Sequence, residues 1–346
     1  MRGVAAVVVV LRHAVAIKPF DPLPHAGLAV DFFFVLSGFV IAHAYERKLA
    51  DGGMSFGEFV RIRLIRLYPL LALGAALAAA VLLAELAAAR DPGDTARGVI
   101  YALGSFVILP LSTGPLAPPD YFGDTVFLNS PEWSLFYELA INVVYAAIAV
   151  RLTNRRLLAV IALAALWLLL QPLYLGHVAA DWFTFASGPP RVLFSFNAGV
   201  LLFRLHHNHR PQQGPLSSAF LALALVVCLL SPGRYGDLAG VALTLGALPA
   251  IVWLAASADL APWARRLSDW AGRLSYPVYI LHLPLLRLLN PSLGRLLGPF
   301  AHSPATLLIQ VAAIVSLSAI ALLGFDQPVR RWLIRPGGSN VRPAAA

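Results

Sequence analysis

Long apolar runs alternate with short polar segments along nearly the whole chain. A membrane-spanning helix needs about 20 mostly apolar residues, with about 17–25 as the usual range. Ten runs approach this length and predict spanning helices, at roughly 3–19, 28–45, 67–88, 131–150, 157–176, 191–205, 217–231, 238–256, 272–289 and 304–324. An eleventh run, 98–111, is shorter and is followed by a stretch rich in proline and glycine. The pattern predicts an all-α polytopic bundle in a lipid bilayer.

The positions of the basic residues indicate which of the eleven runs cross the membrane. Arginines concentrate in the short segments between runs, and short basic loops stay in the cytoplasm. If 98–111 crossed the membrane, segments 61–66 and 151–156 would lie on opposite sides. If it is instead a re-entrant or interfacial segment, every basic segment lies inside. We therefore predict about ten transmembrane helices with both termini cytoplasmic.

The composition agrees with a membrane protein. Hydrophobic residues make up 59% of the chain and charged residues 12%, with a mean hydropathy of +0.75, whereas about a quarter of the residues in a soluble domain are charged. The net charge of +9 comes almost entirely from arginine, and we interpret it as cytoplasmic loop charge rather than a nucleic-acid surface. The single cysteine, Cys228, excludes an internal disulfide and a cysteine-based metal site.

No long soluble segment, internal repeat or glycine-rich phosphate loop interrupts this pattern. We predict one membrane domain over residues 1–335 and a disordered tail over 336–346. The N-terminus has no charged region followed by a short apolar run and a small-residue cleavage site, so we expect the first run to remain as a helix. Arg2 stands close to the start, and the sequence leaves open whether the true N-terminus lies upstream of Met1.

The ionisable side chains within the apolar runs include three that suit catalysis, namely His13, Asp31 and Glu138. A charge such as Asp31 costs about 2.5–3.5 kcal/mol on insertion scales, so such residues are functional-site hypotheses by default. His13 suits a general base, and Asp31 or Glu138 would orient its ring and stabilise the imidazolium. Alternatively, His13 only satisfies a buried carboxylate, and Asp31 is a helix cap or first-turn residue favoured by the helix dipole. The predicted topology places all three in the outer half of the membrane.

Other polar and aromatic side chains are candidates for lining a substrate pocket. Ser37 fits either a nucleophile or a close-packing pair with the glycine that follows it. Trp133 lies beside an outer loop and is a better candidate than Phe32–Phe34 for stacking on a sugar. Tyr276 and His282 are further candidates for the pocket lining.

Three histidines, His206, His207 and His209, lie as close together in the sequence as the ligands of many metal sites. They lie in a short basic turn that is predicted to be cytoplasmic, so we interpret them as a loop and predict no metal site.

Several segments, in this order and spacing, resemble the acyltransferase family 3 membrane proteins, which O-acylate carbohydrates of bacterial envelopes. The resemblance covers Arg2 to about Arg331. The segments are Arg2 with His13 eleven residues later, VDFFFVLSGFVI at 30–41, RIRLIRLYP at 61–69, PEWSLFYE at 131–138, LSYPVYILH at 274–282 and FDQP at 325–328. The chain departs from the family pattern at Arg12, where an apolar or aromatic residue is common, and at Asp326, where the family has glutamate.

The resemblance implies transfer of an acyl group, usually acetyl, from cytoplasmic acyl-CoA to a hydroxyl of a sugar, polysaccharide or glycolipid at the bacterial inner membrane. It implies acyl-CoA as a donor substrate, no permanently bound cofactor, and a stand-alone form without the C-terminal esterase-like domain of many members. The family's functional positions correspond here to Arg2, His13, Arg63, Arg66 and Glu138.

Arg63 and Arg66 lie three residues apart on one helical face, where their guanidinium groups would grip the phosphates of CoA together with Arg2. The alternative is ordinary positive-inside anchoring, which also explains Arg61. For the whole chain the alternative is a proton-coupled transporter or flippase, because buried acids and histidines also build proton relays. Against it, we find no pair of related halves in the sequence.

Overall fold

The computed structural model describes residues 1–15, 22–89, 92–108, 110, 127–173, 185–208, 217–233, 237–258, 260–298 and 303–334, and every regular element in these ranges is a helix. The α-helices are α1 (Arg2–Val15), α2 (Ala29–Ala50), α3 (Phe56–Ala89), α4 (Pro92–Phe106), α5 (Glu132–Ile148), α6 (Asn154–Leu170), α7 (Gly188–Asn208), α8 (Ser217–Leu230), α9 (Leu238–Ala242), α10 (Leu248–Ala255), α11 (Pro262–Leu297), α12 (Pro304–Ala321) and α13 (Gln327–Ile334). π-Helical turns join α9 to α10 and α12 to α13. The predicted all-α class is confirmed for these residues, and the tail 336–346 lies outside them.

The bundle is apolar outside and partly polar inside, as expected for a protein surrounded by lipid. Among the described residues, five helical segments are long and apolar enough to span a bilayer, namely Pro24–Ala50, Phe56–Ala87, Glu132–Arg151, Leu238–Ala255 and Pro304–Ile334. Leu163, Phe220 and Leu308 on the outer helices are about 70% exposed, while Asp31 and His282 are fully buried. The chain is therefore a helical membrane protein, and the number of ten crossings stays a prediction.

The packing of α3 against α5 gives the relative direction of these two helices. Arg63 of α3 contacts Glu138 of α5, whereas Gly74, farther along α3, packs against Asn129, just before α5. Contacts that advance along one helix and go back along the other make the pair antiparallel. One full crossing between α3 and α5 would have made them parallel, so this observation supports a segment 98–111 that does not cross.

Helix α4 packs back along the second half of α3. Near its start, Gly98 packs against Leu86, which is close to the end of α3. At its end, Ser105 donates a hydrogen bond of 2.5 Å to Glu132, in the first turn of α5. That turn lies at the level of Gly74, near the middle of α3, so α4 returns about half the length of α3 before the chain continues towards α5.

Two helices extend beyond the apolar runs that predicted them. Helix α3 begins at Phe56, whereas its apolar run begins near residue 67, and α11 extends over Pro262–Leu297 rather than 272–289. Segment 61–66 is helical, which agrees with the placement of Arg63 and Arg66 on one helical face. Arginine is a good helix former, and a long helix can carry its charged end beyond the lipid.

Helices α2 and α7 run side by side at very close range. Asp31 pairs with Arg191 and, four turns later, Glu46 pairs with Arg204, so the two helices are parallel. Between these pairs, a Cβ on Gly38 would lie 1.9 Å from the Phe196 carbonyl oxygen. This contact supports the close-packing interpretation of the Ser37-Gly38 pair.

Substitution of Gly38 by alanine is expected to destabilise the fold by about 1–3 kcal/mol, at the upper end of that range, because the methyl group meets backbone rather than a movable side chain. The measurement is thermal unfolding of the purified protein in detergent. Gly272→Ala is the matched control, since a Cβ there has nothing within 4 Å. Equal melting temperatures for the two variants would contradict the predicted collision.

Candidate active site

The side chains of His13 and His282 meet inside the bundle. Helices α1 and α11 are parallel neighbours, since Gly3 packs on Ala271 and, ten residues later, His13 contacts His282. The ring centroids are 4.8 Å apart, and Nδ1 of His13 lies 3.3 Å from Nε2 of His282. The family segment LSYPVYILH therefore places its last residue directly against the candidate base.

Backbone carbonyl groups set the tautomers of both rings. Nδ1 of His13 lies 2.8 Å from the Val9 carbonyl oxygen, and Nδ1 of His282 lies 2.6 Å from the Tyr279 carbonyl oxygen. A carbonyl oxygen only accepts hydrogen bonds, so each Nδ1 carries the proton. In the neutral rings the lone pair is then on Nε2, which gives His13 Nε2 the protonation state of a general base.

Glu138 lies in a separate polar cluster with arginine side chains. Its carboxylate accepts hydrogen bonds from Ser37 of α2, from Arg63 of α3 at 3.4 Å and from Asn142 of α5 at 3.4 Å. Arg2 is close enough to Arg63, Arg66 and Glu138 to interact with them electrostatically. The prediction that Glu138 lies in the outer half and Arg63 at the inner mouth was wrong, since the two side chains are in contact.

This basic cluster, defined as Arg2, Arg63 and Arg66 around Glu138, has an excess of positive charge. Arg2 and Arg63 interact with Glu138, and Arg66 lies near them and near the Asp326–Arg330 ion pair, so four guanidinium groups accompany two carboxylates. The buried Nε atoms of Arg2 and Arg63 have no hydrogen-bond acceptor among the described residues. Buried donors without acceptors are costly. The cluster is thus suited to bind an anion such as phosphate.

Asp31 is engaged on the opposite face of α2 from the histidine pair. Arg191 of α7 donates to both carboxylate oxygens of Asp31, from Nε at 2.9 Å and from Nη2. Two positions further, Phe33 contacts Tyr279, whose ring lies 6.0 Å from that of His282. Residues two apart in a helix point in nearly opposite directions. The expectation that Asp31 orients His13 is therefore wrong for this arrangement: Asp31 faces α7, and His282 contacts His13.

The remaining candidates for the pocket lining, Ser37, Trp133 and Tyr276, each contact a different group. Ser37 donates to Glu138. The Trp133 ring is buried and lies 5.2 Å from the Arg191 guanidinium carbon, so one of its faces is occupied by that group. Tyr276 donates to the Leu67 carbonyl oxygen at 2.5 Å, between α11 and α3.

Sequence reasoning missed Arg191 and Glu132. Arg191 opens a predicted spanning run, and an arginine there was the available signal for a partner of Asp31. Glu132 is fully buried at the start of α5, where Ser105 donates to one of its carboxylate oxygens. It lies in the PEWSLFYE segment, in which Glu138 was the carboxylate predicted to be functional.

A Ser-His-Asp arrangement lies apart from the histidine pair and from the basic cluster. Ser231 Oγ is 2.8 Å from Nδ1 of His25, and Nε2 of His25 is 3.0 Å from Asp237. Ser231 donates its only hydroxyl proton to the Cys228 carbonyl oxygen, also at 2.8 Å. The serine is thus not oriented as a nucleophile, and the cluster joins the turn before α2 to the α8–α9 connection.

Of the three histidines predicted in a loop, His206 and His207 lie instead at the end of α7, which extends to Asn208. The His206 ring packs edge-on against Trp253, with centroids 5.6 Å apart. The side chain of His207 and residue His209 lie outside the described part of the chain.

Comparison with known proteins gives one family and one curated relative. The family model described as an acyltransferase domain, family 3, matches residues 1–324. A protein of Rhizobium radiobacter named "Protein 2 in picA locus" is 39% identical over 180 residues, which cover 49% of this chain and 90% of that protein. No solved structure matches the chain. Between an enzyme and a transporter, the family match favours the enzyme. The match over almost the whole chain, together with His13, Arg63, Arg66 and Glu138 in its expected segments, shows that this membrane protein belongs to acyltransferase family 3.

Proposed function

We propose that this acyltransferase transfers an acyl group, usually acetyl, from cytoplasmic acyl-CoA to a hydroxyl of a carbohydrate or glycolipid at the bacterial inner membrane. The observation that carries the proposal is the presence of two buried polar centres in one bundle. The basic cluster has buried donors without an acceptor in the described part of the chain, which are available to an anion, and the histidine pair offers a base whose lone pair is on Nε2. Acyl transfer to a hydroxyl from a donor with phosphates needs both.

The distance between the centres suits an extended donor. Arg2 and His13 lie eleven residues apart on α1, which corresponds to about 16 Å along the helix. In acyl-CoA, the pantetheine arm separates the phosphates from the thioester. A donor whose phosphates bind at Arg2, Arg63 and Arg66 therefore directs its thioester along α1 towards His13.

The transfer step follows from the protonation state of His13. Nε2 takes the proton of the acceptor hydroxyl as its oxygen bonds to the thioester carbonyl carbon, and the resulting tetrahedral intermediate loses CoA thiolate when the carbon–sulfur bond breaks. The proton held by His13 then goes to the leaving thiolate. The products are the O-acyl ester and CoA, and the base is regenerated without a covalent acyl-enzyme.

The proposal is tested with inverted membrane vesicles that carry the wild-type protein or an empty vector. Acetyl-CoA labelled in the acetyl group is added outside the vesicles, which exposes it to the cytoplasmic face, and lipid and glycan fractions are counted. We expect label in a carbohydrate-containing fraction with the wild type only. Absence of transfer from acetyl-, succinyl- and longer acyl-CoA donors would overturn the proposal. Equal labelling of sealed right-side-out vesicles would contradict a cytoplasmic donor site.

Substitution of Arg66 by glutamine is expected to raise the KM for acyl-CoA by about 10–100-fold, because a hydrogen bond to a charged group contributes about 1.5–3 kcal/mol. The measurement is initial transfer rate against acyl-CoA concentration in vesicles. Arg61→Gln is the matched control, since Arg61 is exposed and, among the described residues, donates only to the Leu333 carbonyl oxygen, at 3.4 Å. If the two variants raised KM equally, Arg66 would serve only as positive-inside anchoring.

A further inference from the structure

The contact between His13 and His282 allows only one arrangement of protons for two neutral rings. His282 Nδ1–H donates to the Tyr279 carbonyl oxygen, so its Nε2 is an acceptor. His13 Nδ1–H donates to the Val9 carbonyl oxygen at 2.8 Å, and the same nitrogen lies 3.3 Å from His282 Nε2. The Nδ1–H of His13 is therefore shared between a carbonyl oxygen and a second imidazole.

We infer that His282 is the positioning residue for His13, and that a neutral imidazole takes the place that a carboxylate occupies in a Ser-His-Asp triad. This inference rests on the proposed function, because it assigns a role within the same transfer step. The two carboxylates that the sequence offered are both engaged elsewhere, Asp31 with Arg191 and Glu138 with Ser37 and Arg63. His282 is fully buried, and its ring is held on its other side by the Tyr279 carbonyl oxygen.

The pair also provides a place for the proton. When His13 Nε2 takes the hydroxyl proton, positive charge develops on its ring and the Nδ1–H bond to His282 Nε2 strengthens. Transfer of the Nδ1 proton to His282 Nε2 leaves His13 neutral and His282 as the imidazolium. Return of that proton to His13 Nδ1 allows His13 Nε2 to protonate the CoA thiolate, so protons balance over the reaction.

Two substitutions of His282 separate this role from packing. An asparagine amide reaches the position of Nδ1, so His282→Asn keeps a donor for the Tyr279 carbonyl oxygen and removes the acceptor for His13. A glutamine amide reaches the position of Nε2, so His282→Gln restores an acceptor that cannot carry the proton. We expect His282→Asn to lower kcat about 10–100-fold with unchanged KM for acyl-CoA, and His282→Gln to recover part of that loss.

The control for packing at this contact is Ser134→Ala. It removes the hydrogen bond of 2.7 Å between Ser134 and Tyr279, at the same junction of α11 and α5, and leaves Tyr279 and the backbone acceptor of His282 in place. We expect a lower melting temperature with unchanged kcat. An unchanged kcat in His282→Asn, or a fall in kcat that only follows the loss of folded protein, would overturn the inference.

A second readout does not depend on acyl transfer. In protein with 15N-labelled histidine, signals assigned by comparison with His13→Gln and His282→Gln should show protonated Nδ1 and unprotonated Nε2 in both rings. A protonated Nε2 of His282 at neutral pH would overturn the inference even where transfer is normal. The expected tautomers in a protein that transfers no acyl group would locate the failure in the proposed function instead.

Discussion

Replacement of His13 by glutamine is expected to lower acyl transfer by about 10²–10⁴-fold, the usual contribution of a general base. Glutamine is similar in size and its amide reaches the position of Nε2, but the amide has no lone pair basic enough to take the hydroxyl proton. Because the side chain keeps its size and polarity and lies away from the basic cluster, KM for acyl-CoA and the melting temperature should remain close to the wild-type values. The measurement is kcat and KM in vesicles at matched expression.

His43→Gln is the matched control for this prediction. His43 is exposed towards the C-terminal end of α2 and packs only edge-on against Phe203 among the ring contacts of the described residues. The same chemical change at His43 should leave kcat unaltered. Transfer by His13→Gln at the wild-type rate would exclude His13 as the base, and His282 would then lose its proposed role as well.

The second large effect concerns the buried pair of Asp31 and Arg191. Removing one member leaves an uncompensated buried charge, so Asp31→Ala is expected to destabilise the protein by about 3–5 kcal/mol. Arg191 also donates to the Gly27 carbonyl oxygen and lies against Trp133, so its displacement would disturb the contact of α2, α5 and α7. The measurement is the yield and the melting temperature of purified protein.

The double variant Asp31→Ala, Arg191→Leu decides between structure and catalysis at this position. Without either charge the burial penalty disappears, so the double variant should recover most of the lost stability. If Asp31 is structural, acyl transfer recovers with it. A double variant that folds normally and transfers no acyl group would instead show that Asp31 takes part in the reaction.

The apolar runs by themselves determined the class of fold. In a bilayer each backbone polar group must be satisfied within the protein, which only helices and closed barrels achieve, and the length of these runs selects helices. The placement of arginines also predicted that 98–111 does not cross, which the antiparallel packing of α3 and α5 supports. The family segments led to His13, Arg63, Arg66 and Glu138, because these positions follow from the order and spacing of residues along the chain.

The sequence could not determine which of these side chains meet. That depends on how each helix is rotated and how far it is shifted along its neighbour, and a run that is apolar all round leaves both undefined. The close approach of Gly38 to Phe196 sets how α2 lies against α7, and this places Asp31 on Arg191 while Phe33 faces Tyr279. Only the tertiary structure therefore decided that His282 is the partner of His13, and that Glu138 belongs with the arginines.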